Sequence, residues 1–197
     1  MTNKALLIIL AFFLASCGPL HHVNIKLDLT DFNARQKNDT AYSVGKRDTK
    51  IALVKLKDGS FKEISSRDGI NIVAYRYFYP SGKLKTWTRE TNGFEFGTSP
   101  LYDDNGHLIN TTNHDGDFKY SVNRLDAKFA FGYGFNVFGE NATIVRSTQD
   151  NIPVYRVTFL LNSPEANKGR RFIVDGIKGK VLSDAVVTLP QKEASAR

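Results

Sequence analysis

Three short segments of this chain repeat the same turn pattern at an almost constant spacing. In each segment a glycine is followed two positions later by a large apolar residue. The glycines are Gly59, Gly82 and Gly106, and the apolar residues are Phe61, Leu84 and Leu108. Glycine reaches the positive φ that tight turns require, so each segment predicts a turn that opens into a strand. The three apolar residues are expected to be the first inward-facing residues of those strands.

The repeat predicts a sheet built from consecutive antiparallel hairpins. Its glycines lie 23 and 24 residues apart, which fits one hairpin with its turns. Between the second and third copies, Asn92 and Gly93 form the dipeptide most typical of a two-residue hairpin turn. The chain also contains 14 Phe and 8 Tyr, residues that favour strands. A single Cys excludes an intrachain disulfide, so the hydrophobic core must stabilise the fold.

Two copies share a longer string around the turn. The strings are Tyr-Pro-Ser-Gly-Lys-Leu-Lys from Tyr79 and Tyr-Asp-Asp-Asn-Gly-His-Leu from Tyr102. They resemble the MORN-variant repeat of bacterial proteins described as antitoxins, over residues 51–119. The first copy has no tyrosine at the matching position. The resemblance implies a meandering sheet that serves as a binding surface, and it carries over no catalytic residue.

The C-terminal third has the pattern of one helix followed by strands. Ser121 or Asn123 can cap a helix whose apolar residues share one face: Val122, Leu125 and Phe129. Four runs rich in β-branched and aromatic residues follow within residues 143–188. The whole sequence therefore predicts a mainly β fold of the α+β class. In it, an antiparallel meander of hairpin repeats precedes a small unit of one helix and an antiparallel sheet.

Two strings in this third carry a second resemblance. They are Pro-Val-Tyr-Arg-Val from Pro153 and Val-Asp-Gly-Ile-Lys-Gly-Lys-Val-Leu from Val174. Both are similar to the strand and hairpin motifs of the PepSY domain, over residues 120–190, although the turn reads Gly-Ile-Lys-Gly instead of the usual Ala/Pro-x-Thr-Gly. The resemblance implies a module that binds or inhibits partners such as peptidases, and it implies no enzyme.

The N-terminus has the features of an export signal. Lys4 precedes an uncharged apolar run, residues 5–14, that is too short to span a bilayer. The run leads into a string that resembles the lipobox of bacterial lipoproteins, Leu14-Ala15-Ser16-Cys17. The resemblance implies cleavage before Cys17 and acylation of that residue. The alternative is an ordinary secretory signal with an unmodified Cys.

An acylated Cys17 would anchor the protein to a bacterial membrane, because several acyl chains bind much more firmly than one. Gly18 follows it, which under the enterobacterial sorting rule implies transfer to the outer membrane. We therefore expect an envelope protein that faces the periplasm. The formal net charge is +7, and +6 without Lys4. In the envelope this charge favours an anionic surface or an acidic protein as partner, and we expect no nucleic acid.

Composition divides the chain into five parts. Residues 23–29 alternate apolar and polar residues, which predicts a strand, and residues 33–50 are polar and aperiodic, which predicts a loop. The predicted parts are a signal peptide at 1–16, an anchored strand and loop at 17–50, the hairpin repeats at 51–119, the PepSY-like unit at 120–190 and a tail at 191–197.

The sequence contains none of the common catalytic motifs. The Gly-x-Ser-x-Gly elbow, the His-Glu-x-x-His zinc motif and the Walker phosphate loop are absent. Because no nucleophile and base stand out, a hydrolase is disfavoured, and we predict no catalytic residue, cofactor or metal. His107 and His114, with the aspartates near them, are the residues that could surround a metal. Their Asp-Asn-Gly and His-Asp-Gly strings are, however, first of all turn sequences.

Two glutamates are expected to face each other across one hairpin. If Asn92 and Gly93 form the turn, Glu90 and Glu95 are direct cross-strand neighbours, where like charges destabilise a sheet. We interpret the pair as solvated. The alternatives are a contact for a basic partner and, least favoured, an acid–base pair.

The strand after the second turn carries the best candidate for a binding surface. Alternation places four residues on one of its faces: Lys83, Lys85, Trp87 and Arg89. Since Leu84 is aligned with the inward residues of the other copies, the face with Trp87 is expected to be exposed. Trp and Arg are frequent in binding hot spots, so these four residues are predicted to bind a partner. The alternative is that Trp87 packs into the core under the lysine stems.

Together these features predict a non-enzymatic, lipid-anchored envelope protein that acts as a protein-binding or inhibitory module, of which an immunity protein is one kind. Its partner would be an envelope protein or an anionic surface. The alternative is a structural envelope lipoprotein that contacts anionic lipid or glycan. A hydrolase comes last.

Overall fold

The computed structural model describes residues 25–44, 49–161 and 167–190. The predicted signal peptide, Cys17 and the tail at 191–197 lie outside the described residues, as do the first two residues of the strand predicted at 23–29. The described fold consists of two antiparallel sheets, with one helix before the first sheet and one between the sheets. In this part of the chain, neither helix combines the length and the apolar character that crossing a bilayer requires.

The first sheet follows helix α1, which spans Leu29–Arg35. In the described residues it has eight strands: β1 Thr40–Val44, β2 Lys50–Lys55, β3 Phe61–Arg67, β4 Ile70–Phe78, β5 Leu84–Thr91, β6 Phe94–Glu95, β7 Thr98–Tyr102 and β8 Leu108–Asn113. Their order is β1-β2-β3-β4-β5-β7-β8, and the short β6 also pairs with β5. Every pairing is antiparallel, so the predicted meander of hairpins is confirmed.

The second sheet follows helix α2, which spans Val122–Tyr133. Its strands are β9 Ala142–Gln149, β10 Ile152–Leu160, β11 Lys168–Asp175 and β12 Val181–Thr188, in the antiparallel order β12-β11-β10-β9. The Ser121 side chain caps α2 by accepting from the backbone N–H of Arg124. The helix buries the three residues predicted for its inner face, Val122, Leu125 and Phe129. The predicted fold class is therefore confirmed for both parts of the chain.

All three repeat turns have the same backbone geometry. In each, the first N–H of the turn donates to the carbonyl four residues later: Leu56 to Ser60 at 2.8 Å, Tyr79 to Lys83 at 2.9 Å and Asp103 to His107 at 2.9 Å. Their glycines have φ angles of 84°, 82° and 90°. The prediction of one turn in each copy is confirmed, because glycine adopts this conformation without strain.

The second and third turns are also bonded to each other. The hydroxyl of Tyr79 donates to the carbonyl of Tyr102 at 2.8 Å. In parallel, Nζ of Lys83 donates to the carbonyl of Asp104 at 2.7 Å. The constant spacing of the repeat thus places these turns side by side at one end of the sheet.

The apolar residues that follow the turns do not share one environment. Phe61 and Leu84 are 5% and 3% exposed, as predicted, and belong to a hydrophobic cluster with Phe32 of α1. Leu108 is 39% exposed, so the prediction of an inward position is wrong there. Leu108 begins the edge strand β8, and the cluster under α1 does not extend to that strand.

The N-terminal segment differs from the predicted strand. Residues 25–28 make one isolated bridge, between Lys26 and Lys83, and α1 begins at Leu29. Asp28 starts the helix by accepting from the backbone N–H groups of Thr30 and Asp31. The alternation of apolar residues therefore runs from an extended segment into a helix.

The loop predicted at residues 33–50 is also wrong in part, because it contains β1. This strand pairs with β2 from Thr40 opposite Val54 to Val44 opposite Lys50. An edge strand takes its hydrogen bonds from the neighbouring backbone and buries few side chains. The sequence of β1 therefore lacks the regular apolar alternation that would have predicted a strand.

The two sheets meet around a half-buried arginine. Arg146 of β9 forms an ion pair with Asp115 at 2.6 Å and donates to the carbonyl of His114 at 2.7 Å. Its guanidinium lies 4.5 Å from the ring centre of Phe94. Beside it, burial raises the pKa of Tyr155 to about 12, although the charge of Arg146 opposes the rise. The ion pair and hydrogen bonds of the Arg146 Nη groups thus link the second sheet to segments of the first.

Asn71 gives the sheets a second link. Its backbone N–H donates to the carbonyl of Phe138 at 2.6 Å. Its side-chain amide donates to the carbonyls of Gly139 and Ala142 at 2.9 and 3.1 Å. The start of β4 is therefore bonded to the segment that leads into β9.

We expect Gly82→Ala to destabilise the protein more than Gly93→Ala. The two glycines have φ angles of 82° and 83°, so an alanine would introduce the same backbone strain at both positions, about 1–2 kcal/mol. At Gly82 an added Cβ would lie 3.3 Å from the carbonyl oxygen of Leu27, whereas at Gly93 nothing lies within 4 Å. Denaturant unfolding should show an additional loss of roughly 1 kcal/mol for Gly82→Ala. Equal losses would contradict the docking of the N-terminal segment on this turn.

Candidate functional site

The predicted binding residues on β5 are divided by an irregular register. Phe78 pairs with Leu84, but the next pair is Tyr77 with Thr86, so Lys85 is an extra residue in β5. Leu84 therefore lies on the same side as Trp87, and both contact the cluster under α1. The prediction that Trp87 and Leu84 occupy opposite faces is wrong, because it assumed strict alternation. Trp87 is half-buried, which is closer to the packed alternative.

The two lysines do not lie with the tryptophan. Lys83 bonds to the carbonyl of Asp104 in the neighbouring turn. The ammonium of Lys85 lies 5.5 Å from the ring centre of Tyr79. Both cations thus lie at the end of the sheet where the second and third repeat turns are side by side, which we name the row of turns. Trp87 and Arg89 lie further along β5.

Trp87 and Arg89 line a cleft of about 310 Å³, which we name the Trp87 cleft. Its other lining residues are Ile25, Ala74, Tyr75, Arg76 and Leu84. Three segments form it: the stretch before α1 and the consecutive strands β4 and β5. The cleft combines a half-buried aromatic ring, short aliphatic walls and two arginine side chains.

The two arginines of the cleft have different electrostatic partners. Arg76 forms an ion pair with Glu63 at 2.8 Å. The Arg89 guanidinium contacts rings instead, at 5.7 Å from the centre of Trp87 and 4.8 Å from that of Phe96. Among the described residues no oxygen accepts from it, and its Nε is shielded from solvent as well. Of the two arginines that line the cleft, Arg89 is therefore the one without an ion pair to a described residue.

A larger concavity of about 410 Å³ lies over strands β1 to β3. It is lined mainly by small and apolar side chains, among them Tyr42, Val44, Ala52 and Ile64. Its charged residue, Lys50, is paired with Asp68 at 2.7 Å. Because its described lining residues offer no unpaired charge to a ligand, we regard the smaller Trp87 cleft as the better candidate.

The predicted glutamate pair is present. Glu90 is the register partner of Glu95, and the turn residues Asn92 and Gly93 both have positive φ. The side chain that contacts the pair is His114, which the sequence indicated only as a candidate metal ligand. Nδ1 of His114 lies 3.0 Å from a carboxylate oxygen of Glu95.

His114 also completes an arrangement that the sequence did not reveal. Its Nε2 lies 2.7 Å from Oγ of Ser99 while its Nδ1 faces Glu95. Serine, histidine and carboxylate are thus linked in the order of a hydrolase triad. The residues meet because β7 and β8 pair with Thr98 opposite Asn113. Only that register, and no local motif, could have indicated them.

The surroundings of Ser99 favour a structural role. Ser99 is 8% exposed and lies within a strand, opposite Thr112. Catalytic serines of the elbow type stand on a sharp turn that presents Oγ to the substrate. Here the hydroxyl of Ser99 is hydrogen-bonded to the imidazole of His114, and the backbone carbonyl of His114 accepts from Arg146.

The histidines considered for a metal have separate partners. His107 lies 3.3 Å from Asp103, and His114 contacts Glu95. Backbone hydrogen bonds from His107 and Asn105 lower the pKa of Asp103, which caps its own turn. Within the described residues no three His, Cys, Asp or Glu side chains are grouped as a metal would require.

No protein-family model matches this chain, and no curated protein matches its sequence. The MORN-like and PepSY-like resemblances therefore stay predictions. The fold and the geometry of the Trp87 cleft are the observations on which a function must be argued.

We expect Ser99 to be unreactive toward a fluorophosphonate probe in the full chain. Its hydroxyl is nearly buried and engaged by His114, so Ser99→Ala should lower the free energy of unfolding by about 1 kcal/mol. The exposed Thr112→Ala should change it by less than about 0.5 kcal/mol. Labelling of the parent protein that Ser99→Ala abolishes would contradict this prediction and establish a hydrolytic serine.

Proposed function

We propose that this protein is a non-enzymatic, lipid-anchored module of the bacterial envelope that binds a partner protein in the Trp87 cleft. The observation that carries the proposal is the cleft itself, where a half-buried tryptophan lies beside an arginine without a polar partner. Tryptophan and arginine are the residues most enriched at the energetic centres of protein interfaces. The proposal uses two of the four residues predicted from the sequence.

The position of the cleft along the chain supports membrane-proximal binding. Ile25 lines the cleft and lies eight residues after Cys17. A chain of that length spans at most about 28 Å. If Cys17 is acylated, the cleft is held within that reach of the lipid anchor. A partner in the same membrane would then meet the cleft at high effective concentration.

The two family resemblances support an inhibitory or immunity role over a purely structural one. Both imply modules that bind proteins, and neither carries over a catalytic residue to this chain. The alternative is a structural lipoprotein that contacts anionic lipid or glycan. Lys83 and Lys85 at the row of turns are the residues that favour this alternative.

Acylation of Cys17 is tested by fractionation of cells that express the full chain. We expect Cys17→Ser to move the protein from the detergent-soluble membrane fraction to a soluble or uncleaved form, because the thiol is the site of the acyl chain. Ser16→Ala keeps a small residue before the Cys and should leave the protein in the membrane fraction. A cleaved Cys17→Ser protein that still sediments with membranes would refute the anchor.

Partner binding is tested by photo-crosslinking in intact cells. A benzoylphenylalanine at Ile25, on the rim of the cleft, should give a discrete protein adduct. The same group at Ile109, an isoleucine on β8 that is 60% exposed against 48% for Ile25, should give none. Trp87→Ala should remove the adduct. Lipid adducts alone would establish the structural alternative, and the absence of any adduct at Ile25 would overturn the proposal.

A further inference from the structure

We infer that the Trp87 cleft recognises the carboxylate of an acidic side chain in an extended peptide, and that Arg89 binds it. This inference rests on the proposed function, since it names the chemistry of the partner at the same cleft. It is argued from the environment of Arg89, the shape of the cleft and the placement of the neighbouring cations.

The first argument is the missing counter-ion of Arg89. The other half-buried arginines in the described chain each donate to an oxygen acceptor: Arg146 to Asp115, Arg170 to Asp184 and Arg171 to Thr158. Arg89 is also half-buried and has none. A planar guanidinium presents paired N–H groups that match the two oxygens of a carboxylate.

The second argument is that the guanidinium is already oriented and partly dehydrated. It lies within cation–π distance of the rings of Trp87 and Phe96. Its Nε is buried, so part of its hydration is lost before any ligand arrives. A ligand therefore meets a group that needs little further ordering or desolvation, and these are the main penalties of forming a charged contact.

The third argument is a glycine that leaves room for this side chain. An added Cβ at Gly97 would lie 3.1 Å from Nη2 of Arg89. Gly97 also has a φ of 75°, which favours glycine at this position. The turn between β6 and β7 thus packs against the guanidinium, and the carboxylate bonded to this turn, Asp115, accepts from the N–H of Gly97 at 3.2 Å and forms its ion pair with Arg146 at 2.6 Å.

The shape of the cleft favours a peptide over a lipid headgroup. Its volume of about 310 Å³ suits one or two side chains, and the aliphatic walls at Ile25, Ala74 and Leu84 suit the methylenes of a glutamate. A phosphate headgroup would be served equally well by lysines, but Lys83 and Lys85 lie away from the cleft at the row of turns. With Arg76 paired to Glu63, the free positive charge in the cleft comes from Arg89.

The chain contains one tryptophan, so its fluorescence reports directly on the cleft. The full-length protein in detergent is titrated with a tetraglutamate peptide capped at both ends. We expect a saturable change of Trp87 emission, and none with capped tetraglutamine. Inorganic phosphate and phosphatidylglycerol vesicles at matched charge concentration should give a much weaker response, and an equal response to either would overturn the inference.

Variants of Arg89 assign the effect to the guanidinium. Arg89→Met should weaken tetraglutamate binding at least about tenfold, and Arg89→Lys, which keeps the charge but loses the planar fork, at least about threefold. Arg156→Met, at an exposed arginine of β10, should keep the affinity within about twofold. Thermal unfolding shows whether each variant is folded. If Arg89→Met is not folded, the tetraglutamate affinity of Arg89→Lys is compared with that of the parent protein instead.

The outcomes separate this inference from the proposed function. If the Ile25 crosslink forms and survives Arg89→Met and Arg89→Lys, the partner binds in the cleft without a carboxylate contact. The inference then fails while the proposed function stands. If tetraglutamate binds with Arg89 dependence but no protein adduct forms, the carboxylate site stands and the proposed function fails. Equal tetraglutamate affinity in all variants overturns the inference.

Discussion

A guanidinium placed between two sheets needs both a counter-charge and hydrogen-bond acceptors, and the two Nη groups of Arg146 find them on the segments around β6 and β8. Both side chains of the Arg146–Asp115 pair are 14% exposed. Removing one partner of such a pair costs about 3–5 kcal/mol, because the other charge stays buried. The pair therefore fixes the relative position of the sheets together with the apolar core that they share.

The Arg146 contacts are connected to the Trp87 cleft through Phe96. Arg146 donates to the carbonyl of Glu95, and the next residue, Phe96, packs in the core that both sheets share. The ring of Phe96 in turn contacts Arg89. The packing that holds Phe96 in the shared core thus places its ring beside Arg89, whose guanidinium contacts two rings and no oxygen acceptor. At the other end of the cleft, the segment before α1 supplies Ile25.

The turns could be predicted because their cause is local. A glycine at the position that needs positive φ fixes each turn, whatever the rest of the chain does. The capped helix α2 is predictable for the same reason, since Ser121 and the spacing of its apolar residues lie within a few turns of each other. The Trp87 cleft was predicted only in part, because one extra residue, Lys85, changes the face of Leu84.

The sequence by itself determined the hairpin order, the turn positions, the facing glutamates Glu90 and Glu95 and the mainly β class, since each follows from short-range backbone preferences. Only the tertiary structure decided which side chains meet across segments. It paired His114 with Ser99 and Glu95, and it left Arg89 without a counter-ion. The physical reason is that burial and pairing of charges depend on register and on the packing of distant elements, which no local pattern encodes.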